Sequence, residues 1–133
     1  MRYVLNIEPK PQSRPRFGNG RAYEKSDMTR WKNQAGYLLK AQRPDIIEKG
    51  AIAFLVTFYI RPPKSISNVK KMAQSLKNEA IYVEKRPDLD NYLKAIWDCS
   101  NGLLFKDDGQ IAVTSAQKLY SLRPRIEIEI FEL

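Results

Sequence analysis

Along the chain, apolar residues recur with two different periods, and the changes of period mark out the elements. YVLNIE, residues 3–8, alternates as a first strand does. PKPQSRPRFGNGRAYEKS then brings three prolines and two glycines, which predicts a long irregular loop at about 9–25. Met28, Trp31, Ala35, Leu38 and Leu39 fall on one helical face. Ser26 is the expected N-cap of that helix, and Pro44 stops it after about Arg43. AIAFLVTFYI, residues 51–60, is apolar without a break, as expected of a strand covered on both faces.

Val69, Met72, Ala73 and Leu76 return to helical spacing in a second, shorter helix with lysines outside. A third helix is predicted from Leu89 to Ser100, with Leu89, Leu93, Ile96 and Trp97 inward and Gly102 ending it. LLF at 103–105, the DDG turn and IAVTSAQKLY at 111–120 read as a hairpin. RIEIEIFEL sets Ile126, Ile128 and Ile130 against Glu127 and Glu129, so one face of the last strand is expected to be wet. The sum is an α/β (α+β) protein: one small domain over residues 1–133, a mixed sheet of about five strands and two to three helices.

Composition narrows the chemistry. An apolar fraction of 43% and a charged fraction of 29% fit a globular domain with one core. No apolar run approaches the eighteen or so residues of a membrane helix, and MRYVLNIEPK lacks the parts of a signal peptide. With Cys99 as the single cysteine, a cytoplasmic location is expected. The absence of histidine excludes Ser-His and Cys-His nucleophiles and, with one cysteine, the usual zinc sites. Any metal must sit on oxygen ligands, which favours magnesium, manganese or calcium.

Charge is unevenly spread. Residues 1–77 hold 16 Lys/Arg and 5 Asp/Glu, a balance of +11, whereas residues 78–133 hold 7 and 10, a balance of −3. Such a division fits a polyanion gripped by the first half and handled chemically by the second, or simply a solvated surface. The grip would fall to Lys10, Arg14, Arg16, Arg21, Lys25, Arg30 and Lys32, interleaved with Phe17, Tyr23 and Trp31. Trp31 also belongs to the buried helix stripe, and Phe17 can equally anchor the loop. Lys70 and Lys71 make a weaker patch.

The acidic half contains RPDLDNYLKA at 86–95 and KDDGQI at 106–111. Taken singly, these are ordinary: Asp88 can cap the third helix, Asp90 and Lys94 are an i, i+4 pair, and Asp107-Asp108-Gly109 is turn chemistry. Taken together, they could converge if Leu93, Ile96 and Trp97 pack against Leu103, Leu104 and Phe105. Clustered carboxylates then need a hard cation.

RPDLDNYLKAIWDCSNGLLFKDDGQI, residues 86–111, resembles the signature of the RusA family of Holliday-junction resolvases. An Asp-Leu-Asp-Asn helix start, a lysine four residues after the second Asp, a Gly-apolar-apolar segment and an Asp-Asp-x-Gln turn occur in that order. Gly109 departs from the Ser or Glu more usual there. The resemblance implies a homodimeric, often prophage-encoded endonuclease of recombination and repair that nicks four-way DNA junctions symmetrically with Mg²⁺, or Mn²⁺ in its place. Asp88, Asp90 and Asp108 correspond to its metal ligands and Lys94 to its essential lysine, with Asp107 the alternative member of the turn pair. A two-fold symmetric junction also calls for two active sites related by a dyad, which a C₂ homodimer supplies. The rival reading is a non-catalytic basic DNA-binding protein whose acids are structural. A restriction-enzyme type of nuclease would need a strand-borne acid-x-Lys element, which the chain lacks.

Overall fold

The computed structural model describes residues 1–14 and 16–133, with Arg16 described by its backbone alone. The chain runs through β1 (Arg2–Leu5), β2 (Arg16–Gly18), β3 (Arg21–Tyr23), α1 (Ser26–Ala41) and β4 (Ile52–Ile60). Short helices α2 (Lys64–Ser67) and α3 (Ala73–Lys77) flank a 3₁₀ turn at Lys70–Met72, followed by α4 (Leu89–Ser100). A second 3₁₀ turn, Asp108–Gln110, leads into β5 (Ile111–Tyr120), and β6 (Arg125–Glu132) ends the fold. The main sheet has the order β1-β6-β4-β5, with β4 parallel to β5 and antiparallel to β6, while β2 and β3 form a separate ribbon. This is the mixed α/β architecture that the periodicities predict.

Helices α1 and α4 cover one face of the sheet. Phe54, Val56 and Phe58 of β4 and Ile126, Ile128 and Ile130 of β6 share one core with Met28, Trp31, Ala35 and Leu39 of α1 and Tyr92, Ala95 and Ile96 of α4. Each fully buried phenylalanine or isoleucine there contributes about 1.5–3 kcal/mol relative to exposure. Of the predicted stripe of α1, Met28, Trp31, Ala35 and Leu39 are buried and Leu38 is half-buried; Trp31 is core, with its indole N–H donating to the Glu8 carbonyl at 2.8 Å. Among the described residues, no helix is long and apolar enough to cross a membrane.

Four local expectations need correction. Ser26 is the first helical residue rather than the cap, and the N-cap, Lys25, makes no side-chain capping bond. The segment 103–105 does not form a hairpin with β5. Instead Leu103 and Leu104 donate to the Ser100 carbonyl, and Phe105 bridges in parallel to Ile47, while β5 pairs with β4. The second helix is broken into α2, a 3₁₀ turn and α3. Last, β4 is covered by helices on one face only. Its run is apolar because it is a central strand, but Leu55, Thr57 and Tyr59 on the other face remain half-buried.

The predicted loop at 9–25 contains the β2–β3 ribbon, whose turn residues Asn19 and Gly20 both have positive φ, 51° and 73°. Asn-Gly is the preferred sequence for such a two-residue turn. Phe17 at its tip is 80% exposed and anchors nothing.

A buried ion pair fastens the β4–α4 crossover to the uncovered face of the sheet. Arg125, 4% exposed, meets Glu79 through both terminal nitrogens at 2.7 and 2.9 Å. Its Nε donates to Glu127 at 2.7 Å, and its guanidinium lies 3.8 Å from the Tyr59 ring centre. The hydrogen bonds from Arg125 hold the Glu79 carboxyl below its ordinary range. A depressed carboxyl stabilises the fold above the unfolded-state value, and that stability is lost as pH falls through the folded value. Glu79→Gln should therefore lower unfolding stability at pH 7 by about 3 kcal/mol in urea titrations. The deficit should shrink as pH falls below the ordinary glutamate value of about 4.3 and through the lower folded value, where wild type loses the same contribution.

Candidate nuclease site

The helix mouth of α4 is the first part of the site. Asp88 occupies its N-cap position with extended dihedrals, φ −69° and ψ 146°, yet its carboxylate makes no capping hydrogen bond. The bland role the sequence offered for Asp88 is thus not the one it performs. Asp90 sits in the first turn, and its carboxylate lies 3.9 Å from the Lys94 ammonium, with both side chains largely exposed. The chain leading to Asp88 is held from β5: Lys118 Nζ donates to the carbonyls of Lys85 at 2.9 Å and Pro87 at 2.8 Å. Two unshielded carboxylates and a lysine therefore stand on a fixed backbone.

Position in the sheet places this mouth at the carboxyl ends of the two parallel strands. Tyr92 packs on Phe58 with ring centres 5.4 Å apart, and Trp97 meets Phe54 edge-on at 6.3 Å, so α4 runs antiparallel to β4. An adjoining cleft is lined by Arg61, Lys85, Arg86, Pro87, Tyr92 and Tyr120, among others. Crevices at the carboxyl ends of parallel strands are the common ligand sites of α/β sheets. Lys85 and Arg86 form no ion pair among the described residues, whereas Arg61 Nε pairs with Glu8 at 2.5 Å. The sequence pattern singles out none of the three, although RPPK and EKRP are visible basic runs.

The second acidic element is built differently. Asp107 caps the 3₁₀ turn: its Oδ2 accepts from the Gly109 N–H at 3.1 Å, and Gln110 Oε1 accepts from the Asp107 N–H at 3.0 Å. Gln110 Nε2 donates to the carbonyls of Ile47 and Gly50, both at 3.1 Å, which ties the turn to the start of β4. With Asp107 occupied as a cap, Asp108 is the exposed, unbonded carboxylate of the pair.

The predicted convergence of the two elements within one chain does not occur. Asp108 precedes Ile111, which pairs with Ile52 at the amino end of β4, whereas the α4 mouth lies beyond Phe58. Six strand residues, about 20 Å, separate those two positions. Among the described residues, no three Asp, Glu or Cys side chains lie close enough to hold a metal ion. The physical reason is the direction of α4. Leu104 and Phe105 do join the core beside it, but at its carboxyl end, not at its mouth.

The basic segment adjoins the acidic mouth. The Gln12 N–H donates to the Asn91 carbonyl in the first turn of α4 at 2.8 Å, which docks the loop there. Its cations divide into two groups. Lys32 bridges Glu24 and Asp98, at 2.5 and 2.9 Å, and Lys10 pairs with Asp27 at 3.2 Å. Arg14, Arg21, Lys25 and Arg30 form no ion pair among the described residues, and the side chain of Arg16 lies outside them.

These features can be set beside known proteins. The family model for the RusA endodeoxyribonuclease matches residues 6–131. The uncharacterised protein YqaN of Bacillus subtilis strain 168 is 31% identical over 137 aligned residues, spanning 100% of this chain and 96% of that protein. The family match covers both acidic elements, the basic segment and nearly every strand, and the chain belongs to the RusA family of Holliday-junction-resolving endodeoxyribonucleases.

Proposed function

We propose that the protein is a divalent-metal-dependent endonuclease that resolves four-way DNA junctions by paired nicks, working as a homodimer in recombination or repair. The observation that carries this reading is the Asp88 carboxylate, at the cap position yet free of capping, beside Asp90 and Lys94. The donor set fits a hard cation, because exposed carboxylate oxygens with no competing hydrogen bond are what Mg²⁺ or Mn²⁺ takes from a protein. Asp88 and Asp90 would hold the ion, and Asp108 of a second copy would complete its shell. When bound, such an ion supplies an acidified water and neutralises phosphate charge.

The chain's own residues do the remainder. Lys94, tethered by Asp90, presents an ammonium to the phosphate oxygens on which charge accumulates. Lys118 holds the backbone before Asp88 so that its carboxylate does not swing away. Arg14, Arg16, Arg21, Lys25 and Arg30 lead the DNA backbone toward the mouth from one side. Arg61, Lys85 and Arg86 receive it on the other.

In a nicking assay on a synthetic junction, Asp90→Asn should lose activity on the order of a thousandfold with binding retained. Mg²⁺ should support cleavage and Ca²⁺ binding alone. Cleavage that ignores both the substitution and the ion would overturn the reading. A mixing test addresses the shared site. Asp90→Asn and Asp108→Asn chains, each inactive, should regain nicking when co-expressed, since one of the two sites in the mixed dimer is then intact. If each chain carried its own complete site, the mixture would stay dead.

Salt dependence separates the two groups of cations. Arg21→Ala should weaken junction binding about equally across sequences and reduce the salt slope by about 1. Lys32→Ala should instead lower the melting temperature, because it unties α1 from α4, and leave the salt slope unchanged.

A further inference from the structure

The β2–β3 ribbon stands apart from the main sheet, and its root is tied down on both sides. Before β2, the Gln12 N–H is held by the Asn91 carbonyl in the first turn of α4. Gln12 Nε2 then reaches across the root to Glu24 Oε1 at 3.1 Å. After β3, Glu24 also accepts from Thr29 Oγ1 at 3.0 Å and from Lys32 at 2.5 Å. The bond from Lys32 is the main reason its carboxyl lies below the ordinary range. A lone two-stranded ribbon is marginal in water, so this clamp is what holds the arm out from the domain.

The two faces of the arm differ. Tyr23 lies across Gly18, so closely that a Cβ on Gly18 would meet Tyr23 Cε1 at 2.9 Å. Phe17 points to the opposite face, where its cross-strand neighbour is Ala22, whose methyl cannot cover a ring. The Phe17 ring is 80% exposed and joins neither the core nor an aromatic pair among the described residues. Arg14, Arg21 and Lys25 of the same segment form no ion pair among those residues. Five residues separate Phe17 from Gln12, so the ring stands at most about 18 Å from the point where the arm docks beside the acidic mouth.

We propose that Phe17 senses the branch in the DNA by stacking on a base face laid open where the strands exchange, while Arg14, Arg21 and Lys25 hold the phosphates around it. Within a continuous duplex each base is covered above and below, and a side chain outside the stack cannot reach its face. At a four-way junction with its arms drawn apart, the pairs at the exchange point lose a stacking neighbour on one side. A phenyl ring takes that neighbour's place. Such stacking is tolerant of base identity, so it selects structure rather than sequence. Because the arm is rooted on α4, seating the ring at the exchange point also sets which phosphate lies over Asp88, Asp90 and Lys94. The inference rests on the branched-DNA reading above and names the group that tells a branch from a duplex.

Binding of the full chain to a synthetic junction and to a linear duplex of the same sequence, both in Ca²⁺, tests this. Phe17→Ala should bind the junction roughly tenfold more weakly and the duplex as wild type does, with an unchanged melting temperature. Arg21→Ala should weaken both alike. Phe17→Trp should keep junction affinity, and its added indole emission should fall on titration with junction but not with duplex. Trp31 and Trp97 lie in or against the core and supply a constant background. If Phe17→Ala weakened binding to both DNAs equally, or to neither, branch sensing would be overturned, while Asp90-dependent nicking of the junction would leave the nuclease reading standing. Wild type that binds duplex as tightly as junction would remove the branched substrate and this inference with it.

Discussion

The packing of α4 on β4 decides where both acidic elements of this protein lie. Tyr92 against Phe58 and Trp97 against Phe54 fix the helix antiparallel to the strand. Close-packed aromatic contacts of this kind do not slide, because shifting the helix by a turn would open voids on the whole inner face. The mouth of α4 is thereby set at the carboxyl ends of β4 and β5, and the helix terminus with the 103–110 segment at their amino ends. Each acidic element then has its own scaffold. Lys118 clamps the carbonyls before Asp88, while Gln110 anchors the Asp107–Asp108 turn to the start of β4. One chain thus carries two acidic elements on separate scaffolds at opposite ends of the parallel strand pair.

Rigidity at both halves depends on cations that a charge count would assign to DNA. Lys32 reaches Asp98, 66 positions away in sequence, and so ties α1 to α4. Arg125 is buried against Glu79 and Glu127 and fastens the long crossover that delivers the chain to Asp88. A net charge of +8 is therefore partly structural. Among the cations without an ion pair in the described residues, Arg14, Arg21, Lys25 and Arg30 lie on or just after the loop docked at Asn91, and Lys85 and Arg86 line the cleft beside Pro87. This distribution suits a duplex backbone passing over the mouth, since phosphate contacts position DNA without reading its sequence.

Local pattern carried the sequence reading a long way. The bounds of α4, most of the buried stripe of α1 and the isoleucine alternation of β6 all follow from spacing within ten or fifteen residues. What failed depends on distant partners. Asp-Asp-Gly has hairpin chemistry, yet the Gln110 side chain takes the Lys106 and Asp107 amides and turns the segment into a capped 3₁₀ start for a strand parallel to β4. Lys10 and Lys32 looked like the other loop cations because their carboxylate partners are remote or in the next element. The expected convergence of Asp88 with Asp108 depended on Leu93, Ile96 and Trp97 packing against a hairpin at Leu103, Leu104 and Phe105. Helix direction relative to the sheet, a property of tertiary packing, overrode it.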